Sequence, residues 1–391
     1  MKTDRSVLRI FISTGEVSGD LQGALLVESL YQQAQASNFP LEIFALGGER
    51  MRKAGATLLG NTTNIGSVGL LESLPYILPT WQVQRRAKAF LRASPPDVLV
   101  LIDYMGPNLA IGNYVRRYLP QLPIVYYIAP QAWVWSPFSG DAKAISNVSD
   151  YLLAVFPEEA RFFEKQGVNV TWVGHPLLDR METAPTRQQA RQRLKIEDPE
   201  TIITLIPASR QQEIKYLLPV ILKAAVAIQQ KWSKVKFLLP LSTPNLVTAI
   251  DREIKRYQLP IEIISEDTLS AIAAADLAIT KSGTVNLELA LLNIPQVVLY
   301  RVNPITMWLG RTFLKFSVPF ISPTNLVVNE SIVPELLQEK ATVSRIVEET
   351  IVLLTNEQKQ QEMLKGYQRV REGLGEVGVV DRAAKKILSL I

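Results

Sequence analysis

Asp103 stands directly after the apolar run Val98-Leu99-Val100-Leu101-Ile102. Such a run reads as a buried strand of a parallel sheet, which puts the carboxylate at the carboxyl end, where these sheets place ligands and chemistry. An aspartate there serves as a general base, or as a cap or loop anchor. The second candidate is Ser282-Gly283-Thr284, between the run Leu277-Ala278-Ile279 and a helical stretch from Val285 to Leu292. A turn at a helix start offers backbone N–H groups and hydroxyls to an anion, with the helix dipole aiding. Glu288 lies one helical turn beyond Thr284 on the same face, and a carboxylate beside a phosphate cradle suits ribose hydroxyls. The competing reading is an ordinary N-cap followed by a surface glutamate. Arg210, in Pro207-Ala208-Ser209-Arg210, either forks a diphosphate with charge-assisted hydrogen bonds or sits on the surface.

Near the amino terminus, Val7 to Ile12 leads into Gly15-Glu16-Val17-Ser18-Gly19-Asp20 and a helix from about Leu21 to Gln35. Gly15 and Gly19 let the backbone approach a substrate closely. Glu16 and Asp20 either face that ligand or act as caps. The spacing is not the dinucleotide G-x-G-x-x-G, so no nicotinamide site is expected. Trp133 and Trp135 follow the strand Ile124 to Ile128 and line a pocket or an interface. His175, the single histidine, ends the last strand before a polar break. It fits a structural or ligand-contacting role better than a general base.

The elements that must hold these residues alternate between strand and helix through both halves. Strands are expected at Leu41 to Leu46, Val98 to Ile102, Ile124 to Ile128, Asp150 to Val155 and Val170 to Val173. The alternation restarts with Ile202–Ile206, Val235–Leu239, Ile261–Ile264, Leu277–Ile279 and Gln296–Leu299. Helices fit Tyr216–Trp232, Thr243–Tyr257 and Leu269–Ala275, and the polar stretch Leu177 to Arg191 reads as a linker. Glycines 373, 375 and 378 break the charged helical tail before a last helix, Val380 to Ile391. The expected fold is α/β, with two Rossmann-like doubly wound domains facing a cleft, the usual seat of a small ligand. Expected divisions are 1–178, 179–365 and a helical tail, 366–391, packing back on the first domain. Ser67 to Trp81 is apolar and either packs as core or forms an exposed lip for an acyl group. Pro304 to Pro323 interleaves Trp308 and Phe313 with Arg311 and Lys315, as a helix against lipid headgroups or at a dimer or domain contact does.

Composition excludes several classes. The 391 residues are 47% hydrophobic and 20% charged, which rules out disorder as the main state. A formal charge of +5 suits an anionic substrate or lipid surface without demanding nucleic acid. With no cysteine and one histidine, thiolate and polyhistidine metal centres are not possible. No apolar run reaches the roughly 18 residues of a spanning helix, and Asp4, Arg5 and Arg9 interrupt the start, so neither a membrane span nor a signal peptide is expected. The sequence also lacks a D-x-D pair, a Walker loop and G-x-S-x-G, which weighs against metal-dependent phosphoryl transfer and triad hydrolysis.

Taken together, these stretches resemble one family. Gly15-Glu16-Val17-Ser18-Gly19-Asp20 with Gly23-Ala24 looks like the opening motif of lipid-A-disaccharide synthases. Gly66 to Leu74, Ile102-Asp103 with Asn108, Tyr127 to Trp135, Gly174-His175-Pro176, Pro207 to Arg210, Ser282 to Glu288, Tyr300-Arg301 and Thr324-Asn325-Leu326 follow in that family's order, covering about residues 8 to 340. The resemblance implies a glycosyltransferase-B fold and an inverting transfer that needs no metal or cofactor. The donor would be UDP-2,3-diacylglucosamine, the acceptor 2,3-diacylglucosamine 1-phosphate, and the products the β-1,6 disaccharide phosphate and UDP. Residues 1–178 would bind the acceptor and 179–365 the UDP-sugar. Asp103 matches the proposed general base. Glu16, Arg210, Glu288 and Asn325 match residues tied to substrate binding or activity, and Gly19, Asp20, Trp133, His175, Ser209, Ser282, Gly283, Thr284 and Arg301 fall in the matching motifs. Trp308 to Lys315 matches a region associated with membranes and dimer contacts. The resemblance thus implies a cytoplasmic protein, peripheral on the inner membrane, with a second copy as partner and no nucleic acid.

The chain departs from the family at three places. Asp103-Tyr104-Met105-Gly106-Pro107-Asn108 stands where Asp-Ala-Pro-Asp-Phe-Asn is usual, so a second acid is lost beside the base. Pro-Gly-Ser-Arg becomes Pro207-Ala208-Ser209-Arg210, and Lys281 replaces a small residue before Ser282. Two other readings remain beside the synthase. One is a related UDP-sugar enzyme with another lipid acceptor, or an epimerase; the other is an inactive UDP-sugar- or lipid-binding paralogue.

Overall fold

The computed structural model describes residues 7–63, 76–134, 140–197, 200–208, 211–241, 246–303, 307 and 318–391, apart from the side chains of Glu16, Gln211 and Gln212. The chain divides into two compact units, Met1–Asp179 with Leu374–Ile391, and Arg180–Gly373. The expected boundary at 365 falls inside the helix Glu357–Leu374, which runs through Gly373 and stops where Gly375 takes φ +95°. A glycine just past a helix end adopts that left-handed turn without the clash a Cβ brings.

The first unit is built on seven parallel strands: β1 (Leu8–Ser13), β2 (Leu41–Gly47), β3 (Thr57–Asn61), β4 (Val98–Ile102), β5 (Ile124–Tyr127), β6 (Tyr151–Ala154) and β7 (Asn169–Trp172). Their order across the sheet is β3-β2-β1-β4-β5-β6-β7. The order reverses between β1 and β4, which pair Ile10 with Val98 and Ser13 with Leu101. All five residues of β4 are buried, as a central strand covered by helices on both faces requires. The helix Glu16–Ala36 starts five residues before the sequence suggested, so most of the glycine motif lies in its first two turns. The helix Val379–Leu388 packs on it, with Ser29 Oγ donating to Asp381 at 2.5 Å. Asp179 accepts from the N–H groups of Gly378, Val379 and Val380 at 2.7–3.1 Å and fixes that helix's start.

The second unit repeats the plan with β8 (Thr201–Ile206), β9 (Val235–Pro240), β10 (Ile261–Ile264), β11 (Leu277–Lys281), β12 (Gln296–Tyr300) and β13 (Glu335–Leu337). The order is β10-β9-β8-β11-β12-β13, again reversing beside the first strand. One sequence expectation needs correction, and two short strands were not read. The polar stretch 177–191 is not a plain linker: it holds the helices Leu177–Met181 and Arg187–Arg193, the latter opened by a Thr186–Gln189 capping box. The helix expected over Tyr216–Trp232 is Leu218–Lys231, and a separate short helix, Gln211–Tyr216, precedes it, because Pro219 suits the first turn of a new helix and not the middle of an old one. The half-exposed edge strand β3 and three-residue β13 carry too little apolar pattern to have been read.

Candidate active site

In the first unit the chain bends at the reversal point of the strand order. Asp103 and Tyr104 follow β4 with φ of +46° and +48°, two successive side-chain-bearing residues in the left-handed region. Such residues cost about 1–3 kcal/mol each and persist only where their surroundings over-determine them. Here Asn108, fully buried, donates Nδ2 to the carbonyls of Asp103 at 2.7 Å, Ile102 at 3.0 Å and Ser13 at 3.3 Å, while Ser13 Oγ donates back to its Oδ1 at 2.7 Å. Tyr126 Oη donates to the Asp103 carbonyl at 2.9 Å, and burial with the nearby Asp103 charge holds that phenol protonated. The Asp103 N–H donates to the Ile128 carbonyl at 3.0 Å. A Cβ on Gly15 would lie 2.4 Å from the Tyr104 ring, so the first glycine of the amino-terminal motif makes room for the bend. Gly15 and Asp103, 88 positions apart, thus belong to one construction.

The other motif residues in this unit take structural roles. Asp20 is buried, and its carboxylate accepts from the N–H groups of Gly48, Arg50 and Met51 at 2.8, 3.1 and 3.1 Å. It caps the start of the helix Glu49–Lys53, the capping role that the sequence left as an alternative. Gly19 makes room for Thr14, whose Oγ1 would lie 2.0 Å from an added Cβ. His175 is 8% exposed, its Nδ1 accepts from Leu177 N–H at 3.2 Å, and its ring lies 5.2 Å from that of Phe156. Burial pushes its pKa down to about 4, so it is neutral near pH 7. Trp133 packs 5.9 Å from Phe156, and its buried indole N–H has no acceptor among the described residues.

Sequence reasoning missed Glu159. It is fully buried, accepts from three backbone N–H groups, and burial pushes its pKa up to about 7. Its place at the third position of a helix marks it as a cap; only its partner thirty residues away sets it apart.

In the second unit the turn after β11 is relaxed and bonded within itself. Asn286, fully buried, accepts from Gly283 N–H at 2.9 Å and donates to the Lys281 carbonyl at 3.1 Å. The Ser282 hydroxyl donates to the Ile321 carbonyl at 2.8 Å. Part of the donor set expected for an anion is therefore committed, while Thr284 stays exposed at the head of the helix Val285–Leu291. Glu288 is 8% exposed and takes Arg180 Nη1 at 2.5 Å, a partner 108 positions away that the sequence did not suggest. Lys281 Nζ lies 3.5 Å from Glu213. Arg301 lines a depression of about 420 Å³ with Lys215, Tyr216, Lys223, Thr342 and Val343. Asn325 is fully buried: its amide donates to Val333 O and Glu335 Oε1, and its oxygen accepts from Ile332 and Val333 N–H, all at 2.8–3.0 Å. It braces the 321–335 chain.

Ser209, Arg210, Trp135, the motif from Gly66 to Leu74 and the stretch from Trp308 to Lys315 lie outside the described residues, as does the Glu16 side chain. Of the apolar segment ending at Trp81, Ile77, Leu78 and Trp81 are exposed and not core.

The family model described as lipid-A-disaccharide synthetase matches residues 10–388. A lipid-A-disaccharide synthase of Synechocystis sp. is 58% identical over 383 residues, 97% of each chain. One of Gloeothece citriformis is 57% identical over 384 residues, 98% of this chain and all of that one. The structure of S. aureus MnaA with UDP is similar at a TM-score of 0.67 and 16% identity over 98% of each chain, which speaks to the fold alone. On a match that runs nearly end to end, the chain belongs to the lipid-A-disaccharide synthase family.

Proposed function

We propose that the chain is an inverting glycosyltransferase, transferring 2,3-diacylglucosamine from UDP-2,3-diacylglucosamine to 2,3-diacylglucosamine 1-phosphate. Asp103 is the general base. Its carboxylate takes the proton of the acceptor's 6-hydroxyl as that oxygen attacks the anomeric carbon. The bond to UDP breaks with both electrons going to the diphosphate. Thr284, the Glu288–Arg180 pair and Arg210 form the donor-binding set, with Arg210 and Arg180 countering the charge of the departing UDP. Asp20, Gly19, His175 and Asn325 support the architecture in this reading, and Trp133 offers its indole to the acceptor side. The observation that carries the reading is the setting of Asp103, a carboxylate at the end of the central strand on a left-handed bend clasped by Asn108 and Tyr126. Incubating the protein with both lipid substrates and weighing the products by mass spectrometry tests it. The disaccharide phosphate and UDP are expected; a UDP-sugar product formed without acceptor points to epimerisation instead.

The reading extends to the cytoplasmic face of the inner membrane, with a second copy as partner. No described helix is long and apolar enough to cross a membrane. Ile77, Leu78 and Trp81 are exposed at 55%, 69% and 57%, with Arg85 over the Trp81 ring at 5.5 Å, a pairing suited to a headgroup layer. Flotation with anionic vesicles is expected for the natural chain and reduced for Leu78→Glu with Trp81→Glu. Sedimentation of the natural chain tests the dimer.

A further inference from the structure

Asp103 is held from behind by a peptide group that a second carboxylate grips. The peptide between Ile128 and Ala129 presents its carbonyl to the Asp103 N–H at 3.0 Å and its own N–H to Glu159 Oε1 at 3.2 Å. Glu159 Oε2 accepts from Val155 N–H at 2.8 Å and Phe156 N–H at 3.2 Å. One buried carboxylate thereby fastens the carboxyl ends of β5 and β6 together. Capping the helix Pro157–Lys165 needs only the second pair of contacts. The reach to Ala129 serves the β5 corner, where Ile128 has φ +59°. A carboxylate acceptor strengthens the bond at the peptide's N–H relative to a neutral one, though at 3.2 Å this bond is long. It also polarises the same peptide's carbonyl, which strengthens its grip on the Asp103 N–H. Burial works against keeping a charge there and raises the Glu159 pKa, so the carboxylate stays at some expense to stability.

We propose that Glu159 is a positioning residue for the transfer reaction, fixing the backbone of Asp103 in its left-handed bend through the Ile128–Ala129 peptide. The proposal rests on Asp103 being the base. Glu159→Gln replaces one acceptor oxygen with a donor amide, so one of the two strand ends is released. Glu159→Asp keeps the charge and the helix cap but, one methylene shorter, gives up Ala129. The test measures kcat, donor KM and UDP affinity for both variants, alone and in an Asp103→Asn background.

Each single variant is expected to lose about tenfold or more in kcat, with donor KM and UDP affinity within about twofold of the natural chain. In the Asp103→Asn background the same changes are expected to cost less than about twofold, because the group they position is already gone. Equal losses in both backgrounds, or a KM that rises as kcat falls, would overturn the proposal in favour of a merely structural glutamate. Full kcat in Glu159→Asp overturns it as well, and that variant decides if Glu159→Gln does not fold or the residual turnover of Asp103→Asn is too low to measure. Should Asp103→Asn itself keep full turnover, the assignment of the base has failed, and that result is separable from any effect of Glu159.

Discussion

The turns after β4 and after β11 occupy equivalent places in two sheets of the same strand order, yet they are built to opposite ends. Each is clasped by a buried asparagine in the helix that follows. Asn108 spends its amide on carbonyls, drawing them inward and holding two residues in the left-handed region. Asn286 uses both its oxygen and its amide within the turn, and Thr284 keeps an ordinary φ of −54°. A strained bend aims one side chain tightly at a cost in stability; a relaxed turn offers several modest contacts. A base that must meet one hydroxyl calls for the first arrangement, and a diphosphate sugar with many polar atoms for the second.

The largest effect expected on this contrast is that of Asp103→Asn. It should lower kcat by about 10²–10⁴-fold with UDP binding unchanged, measured by turnover and calorimetry. Retained activity breaks the contrast outright. Asn325→Ala should strip partners from two buried N–H groups and a carbonyl. A stability loss of about 3–4 kcal/mol in urea unfolding is expected, with kcat per folded molecule kept. A selective loss of kcat would instead return Asn325 to the site.

His175 sharpens the picture of the first unit through pH. Its folded pKa of about 4 lies below the usual histidine value of about 6.5. Its contribution is therefore present above pH ~6.5 and lost as pH falls toward ~4, about 3 kcal/mol in all. Glu159 slopes the other way, losing stability as pH rises from ~4.5 to about 7. The difference between the natural chain and His175→Gln across that range isolates the histidine. Glu288→Gln should raise donor KM by about 10- to 100-fold with a smaller change in kcat, the behaviour of a hydrogen bond to a charged group. Gly106→Asp is the mildest. An added Cβ there meets nothing within 4 Å, and the helix Met105–Tyr118 has no acid in its first turn. A gain of under about 1 kcal/mol is expected, and any shift in acceptor preference would show whether the missing second acid matters.

The strand-and-helix alternation, the buried run that ends at Asp103 and the turn at Ser282 were legible because they are local: a few consecutive residues carry the periodicity and the break. Their order also carried the family resemblance. Whether Asp20 and Asn325 faced a ligand or a neighbouring loop was not legible. Their partners were backbone groups and, for Asn325, also the Glu335 carboxylate, whose positions follow from how the chain folds and not from residue type. Arg180 for Glu288 and Ala129 for Glu159 lie 108 and 30 positions away, beyond the reach of any pattern along the chain. Chain order alone thus determined which elements form and what sits at their ends. Packing alone assigned these buried polar side chains their partners, because desolvation makes a buried carboxylate or amide take whichever donors and acceptors the fold brings within reach.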